Sequence, residues 1–305
     1  YYSYPVWLVE KWIRELGINS AERLLEAGNG IPALVIRTNT QRVDRAGLIR
    51  LLKEEGVTGR PTSYSPEGIR IDGLKGPVNL LKSFQDGLFQ VQGEAAQISS
   101  HLLFPGPGEV VLDLCAGLGG KSTHMAQLTG YKARIVALDM SHSRLVRLSQ
   151  SSRRLGMGPI EPVVADADSH PSYLFRCTFD KILIDGPCSG LGIISRHPDG
   201  KWARDESDIR RLVRLQKGIL NQAVPLLKKG GRMLYVTCTI SREENEGVAS
   251  DFLRENSGMT LEDLSDLVPE WGTALIDDQG FFRTFPHIHG MEGFFGALFI
   301  KKNTR

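Results

Sequence analysis

The chain has 305 residues, of which 41% are hydrophobic and 24% charged, and its formal net charge is +2 at pH 7. This is the composition of a globular protein with room for one large domain and a smaller one. The nearly balanced charge permits a nucleic-acid partner without indicating one. No run approaches the ~20 apolar residues that a membrane span needs, and the first residues lack the pattern of a secretory signal.

Four cysteines are dispersed along the chain without a C-x-x-C pair; they are Cys115, Cys177, Cys188 and Cys238. In a chain of this size, such a distribution predicts reduced thiols and a cytoplasmic location, and it argues against a disulfide framework. The first residue is Tyr1 rather than methionine. We therefore expect the chain to be a fragment of a longer protein.

The first thirty residues predict a helical segment, 1–30. Apolar residues recur at helical spacing from residue 6 to residue 16. Gly17 is expected to end this first helix, and Ser20 is expected to cap a second one.

Residues 31–100 predict a small α+β subdomain. An apolar run at 33–39 predicts a strand, 44–56 has the pattern of an amphipathic helix, and two short strands are expected before Gly73. One interpretation is an RNA-binding subdomain, because an open sheet face can hold RNA. A purely structural subdomain packed on the rest of the chain is an equally good interpretation.

Residues 101–305 predict a sheet covered by helices. Nearly continuous β-branched runs predict strands at 110–115, 133–139, 162–166, 179–185, 230–238 and 296–302. Helical patterns separate several of these strands, at 121–129, 141–155 and 205–229. Strands that alternate with helices form parallel sheets buried on both faces, so the predicted class is α/β.

The first of these strands leads into a glycine-rich loop, LCAGLGGKST at 114–123. Its end resembles a Walker A phosphate loop, but Cys115 occupies the position of the first glycine that this motif requires. The dinucleotide fingerprint also fails, because Ser122 replaces its third glycine. Neither of the common phosphate-binding motifs therefore explains the loop.

Side chains that can bind a ligand follow the predicted strands, at Cys115, Asp139, Asp166, Asp185 and Cys238. The carboxyl ends of parallel strands meet at one edge of a sheet, where ligands bind, and an acid about twenty residues after the loop accepts hydrogen bonds from a ribose. A carboxylate-rich edge suits a cationic ligand without phosphates, so we predict S-adenosylmethionine. Taken alone, each aspartate is more typical of a turn or a helix cap.

Two of the thiols lie at neighbouring strand ends, Cys188 in IDGPCSGLG and Cys238 in YVTCTI. Beside a methyl donor, they suit methylation of a pyrimidine at carbon 5, because a thiolate that adds to carbon 6 makes carbon 5 nucleophilic. Asp185 could stabilise this addition at ring nitrogen 3, and a second thiol could assist release of the product. The residues alone do not rank the two thiols.

The other two cysteines have a simpler interpretation. A buried free cysteine behaves as a small, inert hydrophobic residue. This is the expectation for Cys115 and Cys177.

These motifs resemble those of the RNA cytosine-5 methyltransferases, in particular the bacterial Sun/Fmu (RsmB-like) branch, which acts on small-subunit ribosomal RNA. The segments that carry the resemblance are YYSYPVWLVEKWIRELG, the glycine loop, DGPCSGLG, RHPDGKW, TCTISREENE and FPHIHGMEGFF. The resemblance implies a Rossmann-like class I methyltransferase domain with a mostly parallel seven-stranded sheet, S-adenosylmethionine as cofactor and 5-methylcytosine in 16S ribosomal RNA as product. It also implies a further N-terminal RNA-binding domain outside this chain. Independently of the resemblance, we expect neither a metal nor a membrane as partner.

The resemblance also assigns roles to residues. Cys238 would be the nucleophile, Cys188 the cysteine that helps to free the product, and Asp185 a contact to the base or the cofactor. The cofactor-binding set would be Cys115, Ala116, Gly117, Leu118, Gly119, Gly120, Lys121, Asp139, Asp166 and Asp185.

The chain departs from the family pattern at a few positions. Gly117 and Leu118 replace an alanine and a proline of the family's C-A-A-P-G-G-K loop, which predicts a more flexible loop and weaker cofactor binding. Gly93 stands where the family has an acid, and Glu292 supplies the acid that the family places before a glycine near the end of the chain.

Two other functions remain open: the same chemistry on transfer RNA, and a non-catalytic RNA-binding factor in ribosome assembly. His287 and His289 form an H-x-H pair, but no third metal ligand is indicated, so RNA or structural contacts are the preferred interpretation. A basic helix face near 204–217 is either a solvated surface or a phosphate contact.

Overall fold

The computed structural model describes residues 1–158 and 160–303. Residues 159, 304 and 305 belong to the predicted 101–305 domain but lie outside the described residues. The α-helices of the described residues are α1 Val6–Leu16, α2 Ile18–Asn29, α3 Arg45–Glu54, α4 Lys82–Gln85, α5 Glu94–His101, α6 Gly120–Leu128, α7 His142–Leu155, α8 Glu206–Ala223, α9 Val248–Glu255 and α10 Pro286–His289. The strands are β1 Leu34–Thr38, β2 Thr58–Pro61, β3 Gly68–Asp72, β4 Phe89–Val91, β5 Val110–Asp113, β6 Arg134–Asp139, β7 Ile160–Val164, β8 Phe179–Asp185, β9 Leu227–Thr237, β10 Met259–Glu262, β11 Phe282–Arg283 and β12 Phe295–Lys301.

The first two helices form a hairpin around Gly17. This glycine has φ 78°, so the chain turns within one residue, and α2 begins at Ile18. Gly17 is therefore the cap of the second helix, and the prediction that Ser20 caps it is wrong. The hairpin buries Leu8 and Trp12 in a cluster that also contains Ile194 and Ile240 from the main domain.

The smaller sheet has the order β2-β3-β1-β4 and is antiparallel throughout. The predicted strand, helix and two strands are present as β1, α3, β2 and β3, and the sequence analysis missed α4 and β4. Apolar residues of β1, β3 and α3 form a separate core on one face of this sheet. The resulting βαββαβ arrangement is ferredoxin-like.

The larger sheet has the order β10-β12-β9-β8-β5-β6-β7, with the short β11 paired to β12. Neighbouring strands from β9 to β7 run parallel, whereas β12 runs antiparallel to both β9 and β10. The prediction of a mostly parallel seven-stranded Rossmann-like sheet is confirmed. The sequence analysis missed β10 and β11, which are short strands at one side of the sheet.

Side chains alternate between the two faces of the larger sheet. Val111 and Leu183 belong to the core that contains residues of α5, α6 and α7, whereas Leu112 and Ile184 belong to the core that contains residues of α8 and α9. This alternation follows from the two-residue period of a strand. Helices therefore cover both faces, as expected for the α/β class.

The predicted helix 205–229 is too long. Helix α8 ends at Ala223, a short 3-10 turn covers Val224–Leu226, and β9 begins at Leu227. Pro225 explains the end of the helix, because proline lacks an N–H group and clashes with the preceding turn.

A buried arginine joins the smaller sheet to the main domain. Arg37 of β1 is 1% exposed, and its guanidinium donates to the side chain of Gln92, to the carbonyl of Gly120 at 2.8 Å and to Thr123 Oγ1 at 3.1 Å. Burial lowers the pKa of Arg37 to about 9, so the group is still charged at neutral pH. The smaller sheet thus contacts the first turn of α6, which supports a structural role for this subdomain.

Within the part of the chain that the structure describes, no helix is both long and apolar enough to cross a membrane.

Replacing Arg37 with alanine tests this contact. The change leaves buried acceptors without a donor, so we expect the free energy of unfolding to fall by about 3 kcal/mol, as measured by urea denaturation. Arg60→Ala is the matched control on the same sheet, because Arg60 is largely exposed and pairs with Asp72 at the surface. It is expected to cost less than about 1 kcal/mol. Equal effects of the two changes would contradict the account.

Candidate active site

The glycine loop packs tightly between β5 and α7. Gly117 and Gly119 have φ of 55° and 78°, a region that glycine enters without strain. A Cβ on Gly119 would lie 2.3 Å from Leu148 Cγ, whereas a Cβ on Gly117 would meet no atom of the described residues within 4 Å. Position 119 therefore needs glycine for both backbone conformation and space. Packing against α7 explains the glycine at this position without any phosphate.

Asp139 joins the loop to the start of α7. It is 6% exposed; its Oδ2 accepts a hydrogen bond from the backbone N–H of Gly117 and its Oδ1 one from that of Ser141, both at 2.8 Å. The loop is also held by a bond of 2.9 Å from the N–H of Ala116 to the carbonyl of Leu138. Two strand ends are thus joined through one carboxylate.

The predicted carboxylates do gather at one edge of the sheet, around Cys115. Burial raises the pKa of this thiol well above its ordinary value, and four carboxylates raise it further; these are Asp113, Asp185, Asp139 and Asp166. Cys115 therefore stays a neutral thiol, in agreement with its expected inertness. The negative potential of this edge favours a cationic ligand.

Asp113 is a site residue that the sequence analysis missed. It lies inside the apolar run VVLDLC and is 1% exposed. Its Oδ2 accepts from Ser122 Oγ at 2.6 Å, whereas its Oδ1 has no hydrogen-bond partner among the described residues. Burial raises the pKa of Asp113 to about 7. An acid within a buried strand was the available signal, since such a residue needs a specific reason.

Asp166 lies at the same edge but has the hydrogen bonds of a turn residue. The side chain is exposed, and it accepts from the N–H of Asp168 and from Ser169 Oγ, both at 3.0 Å. These contacts match the simpler interpretation of an aspartate after a strand. Its contact with a cofactor stays a prediction.

An ion pair connects the glycine loop to the segment that contains Cys188. Lys121 Nζ donates to Asp185 Oδ2 at 2.6 Å and lies 5.4 Å from the ring centre of the buried Phe294. Burial lowers the pKa of Lys121, but Asp185, Asp113 and the sulfur of Cys238 outweigh this effect and raise it above its ordinary value. Lys121 is therefore a permanent cation beside the thiols.

The two thiols at the neighbouring strand ends are in contact. Cys188 Sγ lies 3.3 Å from Cys238 Sγ, and both residues are partly buried. The hydrogen bond with Cys238 raises the pKa of Cys188 well above its ordinary value, with contributions from burial and from Glu244. Cys188 is therefore held as a thiol. The geometry does not by itself assign the nucleophile.

Cys177 differs from the expectation. It is exposed, in the segment that leads into β8. The prediction that it is a buried, inert thiol is therefore wrong with respect to burial, because the chain between β7 and β8 runs over the surface.

A cluster of possible metal ligands lies between the smaller sheet and the main domain. Ligand atoms of Glu67, His101 and His124 lie within 4.8 Å of one another, and His101 Nε2 is 3.0 Å from Glu67 Oε2. The charge of Arg37 acts on both Glu67 and His124 and opposes a cation there. We therefore interpret the cluster as a packing contact, and the absence of a metal stays a prediction.

The H-x-H pair has a structural contact of its own. His289 Nδ1 accepts from the N–H of Phe285 at 2.8 Å and so caps its own turn. Among the described residues, no third ligand groups with His287 and His289. The contact of His289 is a structural one, and the expectation of RNA or structural contacts instead of a metal stays a prediction.

The basic face of α8 is largely paired with acids. Arg210 lies 3.8 Å from Glu206, Arg211 lies 3.0 Å from Asp208, and Lys217 pairs with Asp251 and Glu255. These pairs favour a solvated charged surface for this face.

Comparisons with known proteins agree with this architecture. A family profile described as "16S rRNA methyltransferase RsmB/F" matches residues 100–300, and one described as "Methyltr_RsmF/B-like, ferredoxin-like domain" matches residues 4–79. The chain is 33% identical to "Probable ribosomal RNA small subunit methyltransferase B" of Bacillus subtilis (strain 168), over 98% of this chain and 67% of that protein. It is 36% identical to "Ribosomal RNA small subunit methyltransferase B" of Cronobacter sakazakii, over 98% of this chain and 66% of that protein.

Comparison with solved structures also finds similar proteins over nearly the whole chain. The crystal structure of NSun6 from Pyrococcus horikoshii with SFG has a TM-score of 0.86 and 26% identity, and covers 98% of this chain and 99% of that one. A methyltransferase homologue from the same organism has a TM-score of 0.83 and 28% identity, and covers 99% and 96%.

The chain spans about two thirds of the length of the curated relatives. Its larger sheet has the Rossmann-like fold of S-adenosylmethionine-dependent methyltransferases, and the family match covers most of the chain. The chain therefore belongs to the 16S rRNA methyltransferase RsmB/F family.

Proposed function

We propose that this chain methylates carbon 5 of a cytidine in small-subunit (16S) ribosomal RNA, with S-adenosylmethionine as the methyl donor. The observation that carries the proposal is the contact of Cys188 Sγ with Cys238 Sγ at 3.3 Å, beside the Lys121–Asp185 ion pair. The names of the relatives support the ribosomal substrate. A cytoplasmic location is part of the same proposal.

The cofactor site fits a cationic nucleoside. Carboxylates surround the loop, and within the part of the chain that the structure describes Asp113 keeps one buried oxygen without a partner. The residues that would hold the cofactor are Cys115, Ala116, Gly117, Leu118, Gly119, Gly120, Lys121, Asp139, Asp166 and Asp185. When bound, S-adenosylmethionine supplies a methyl group activated by a positively charged sulfur.

The reaction begins at the thiols. The Cys238 thiolate forms a bond to carbon 6 of cytosine, and the electron pair of the 5,6 double bond makes carbon 5 nucleophilic. The charge of Lys121 stabilises negative charge at the Cys238 sulfur. Asp185 accepts the hydrogen bond of Lys121. Its carboxylate accepts a second hydrogen bond from ring nitrogen 3 when the adduct takes up a proton there, and this contact stabilises the adduct.

Release reverses the first step. After carbon 5 has gained the methyl group, its proton passes to water, the 5,6 double bond forms again, and the bond between Cys238 and carbon 6 breaks with its electron pair returning to the Cys238 sulfur. Cys188 is in contact with Cys238 and remains a thiol, so it can donate a hydrogen bond to the departing Cys238 sulfur and thereby assist this release. The two cysteines thus act at successive steps on the same ring.

The two alternative functions, methylation of transfer RNA and non-catalytic ribosome assembly, require different features of the site. Transfer RNA would use the same active site, which does not distinguish the two substrates. A non-catalytic assembly factor has no use for two thiols in contact beside a cation, so the geometry favours an enzyme.

The smaller sheet is proposed to contact the RNA. Arg60 and Arg70 are exposed on β2 and β3, away from the apolar core of this subdomain. Both line a cleft of about 460 Å³ that also contains Arg196 and His289 of the main domain. Arginine side chains along a cleft can bind a phosphate backbone.

A covalent intermediate tests the roles of the thiols. Cys188→Ala, mixed with S-adenosylmethionine and unmethylated 16S ribosomal RNA, is expected to accumulate a protein–RNA adduct that survives a denaturing gel, because release is impaired. The Cys188→Ala, Cys238→Ala double variant is expected to form none. Cys177→Ala is the control, since this exposed thiol lies outside the site. An adduct in the double variant, or one formed only with transfer RNA, would contradict the respective assignment.

Alanine at the two loop glycines tests the cofactor site. Gly119→Ala clashes with Leu148 and is expected to weaken S-adenosylmethionine binding by at least about tenfold in isothermal titration calorimetry. Gly117→Ala has open space and is expected to weaken binding less, through backbone strain alone. The order of the two effects is the prediction, and the reverse order would refute it.

Removing both exposed arginines tests RNA binding. Arg60→Ala with Arg70→Ala is expected to weaken binding of 16S ribosomal RNA and to lower its salt dependence by about one unit for each lost phosphate contact, with cofactor affinity unchanged. The control is Lys53→Ala with Lys82→Ala, on α3 and α4. If RNA affinity stays at the wild-type level, the subdomain is structural.

A further inference from the structure

A buried carboxylate lies next to the two thiols. Glu244 is 0% exposed and follows β9 in a π-helical turn, Glu243–Gly247. Its Oε1 accepts from the N–H of Ser189 at 2.8 Å and from Gln216 Nε2 at 3.1 Å. Its Oε2 accepts from Ser189 Oγ and, at 3.4 Å, from Thr239 Oγ1.

Its partners are the residues that directly follow the thiols. Ser189 follows Cys188, Thr239 follows Cys238, and the two hydroxyl oxygens are 2.8 Å apart. A single carboxylate therefore joins the two cysteine-containing segments, at the residue that follows each cysteine.

Two neighbours of Glu244, Gln216 and Asn245, form further hydrogen bonds to the two cysteine-containing segments. Gln216 Nε2 also donates to the carbonyl of Pro187 at 2.9 Å, so the backbone on both sides of Cys188 is held. Asn245, the neighbour of Glu244, donates to the carbonyl of Thr239 at 3.0 Å and accepts from Thr237 Oγ1 at 2.7 Å, so both sides of Cys238 are held as well.

This carboxylate has an energetic cost. Its donors in the described residues are a backbone N–H, an amide and two hydroxyls, none of them cationic, and burial raises the pKa of Glu244. Burying a carboxylate without a cation is costly even when it is hydrogen-bonded. An apolar side chain would fill the space without this cost, but it would not join the two segments.

We propose that Glu244 is a positioning residue that holds Cys188 and Cys238 in contact, so that both sulfurs reach the same ring. This inference rests on the proposed function, because the separation of the thiols matters only if both act on one base. The charge of Glu244 has a second effect: it is among the causes that raise the pKa of Cys188.

The proximity of the Cys188 and Cys238 thiols can be tested without the methylation reaction. Phenylarsine oxide condenses with two neighbouring thiols, forms two arsenic–sulfur bonds and releases water. The wild-type protein is expected to bind one equivalent tightly, and Cys188→Ala is expected to lose this binding. Glu244→Gln keeps the side-chain shape but places an NH₂ group against donors, so we expect arsenical affinity to fall by about tenfold or more.

The matched control is Glu243→Gln. Glu243 is the same residue type in the same turn, but it pairs with Lys11 and Ser241 instead of the thiol segments. Its arsenical affinity and methylation rate are expected to stay within about twofold of wild type. For Glu244→Gln we expect kcat to fall by about tenfold or more, with KM for S-adenosylmethionine within about twofold, because the side-chain hydrogen bonds of Glu244 in the described residues go to Ser189, Gln216 and Thr239 instead of the cofactor loop.

A pH measurement tests the effect of the Glu244 charge on Cys188. In the Cys238→Ala background, alkylation of Cys188 by iodoacetamide is followed by peptide mass analysis at increasing pH. Adding Glu244→Gln removes a negative charge beside Cys188, so its alkylation is expected to begin at lower pH. Thermal unfolding of the same variant is the control, because exposure of Cys188 to solvent would also lower its pKa.

Each result of these experiments on Glu244 either supports or overturns the proposal. If Glu244→Gln folds and matches Glu243→Gln in arsenical affinity, kcat and the pH of alkylation, the proposal is overturned. If a thermal unfolding assay shows that Glu244→Gln does not fold, Thr239→Val replaces it as the test. A loss of arsenical affinity and kcat that is smaller than the roughly tenfold loss expected for Glu244→Gln supports the proposal. Wild-type values of both overturn it. Full methylation by the double cysteine variant would refute the proposed function, whereas the arsenical result would still decide on Glu244.

Discussion

The ion pair between Lys121 and Asp185 connects the parts of this site. Lys121 is in the first turn of α6, after the glycine loop, and Asp185 ends β8, three residues before Cys188. The first turn of α6 is in turn held by Arg37 from the smaller sheet. The carboxylates at the sheet edge keep Lys121 charged, and Lys121 offsets part of their repulsion. The cofactor loop, the thiols and the ferredoxin-like subdomain therefore depend on one another through this pair.

Much of this architecture follows from the order of residues. Continuous β-branched runs predict buried parallel strands, and parallel strands bring their carboxyl ends together, so the meeting of Asp139, Asp185 and Cys238 could be expected. Short edge strands such as β4 and β10 lack such runs and were missed. Glu244 was missed as a site residue because its role depends on contacts across the fold, which spacing along the chain does not reveal. Asp113 was missed although an acid inside an apolar run was a signal for it.

Two departures from the family pattern have a physical explanation in the structure. The more flexible loop expected from Gly117 is restrained by the hydrogen bond from its N–H to Asp139. A Cβ on Gly93 would lie 2.1 Å from Glu292 Oε1, and Glu292 pairs with Arg196. Glycine at position 93 thus leaves room for this glutamate, so the two positions are coupled.

The central claim is that Cys238 forms the bond to the RNA base. The direct measurement uses the wild-type chain, S-adenosylmethionine and 16S ribosomal RNA that contains 5-fluorocytidine, whose fluorine cannot leave as a proton does. Digestion of the trapped adduct, followed by mass spectrometry, identifies the modified residue. The account predicts a methylated fluoropyrimidine on the peptide that contains Cys238. The same adduct on the peptide that contains Cys188 would contradict it.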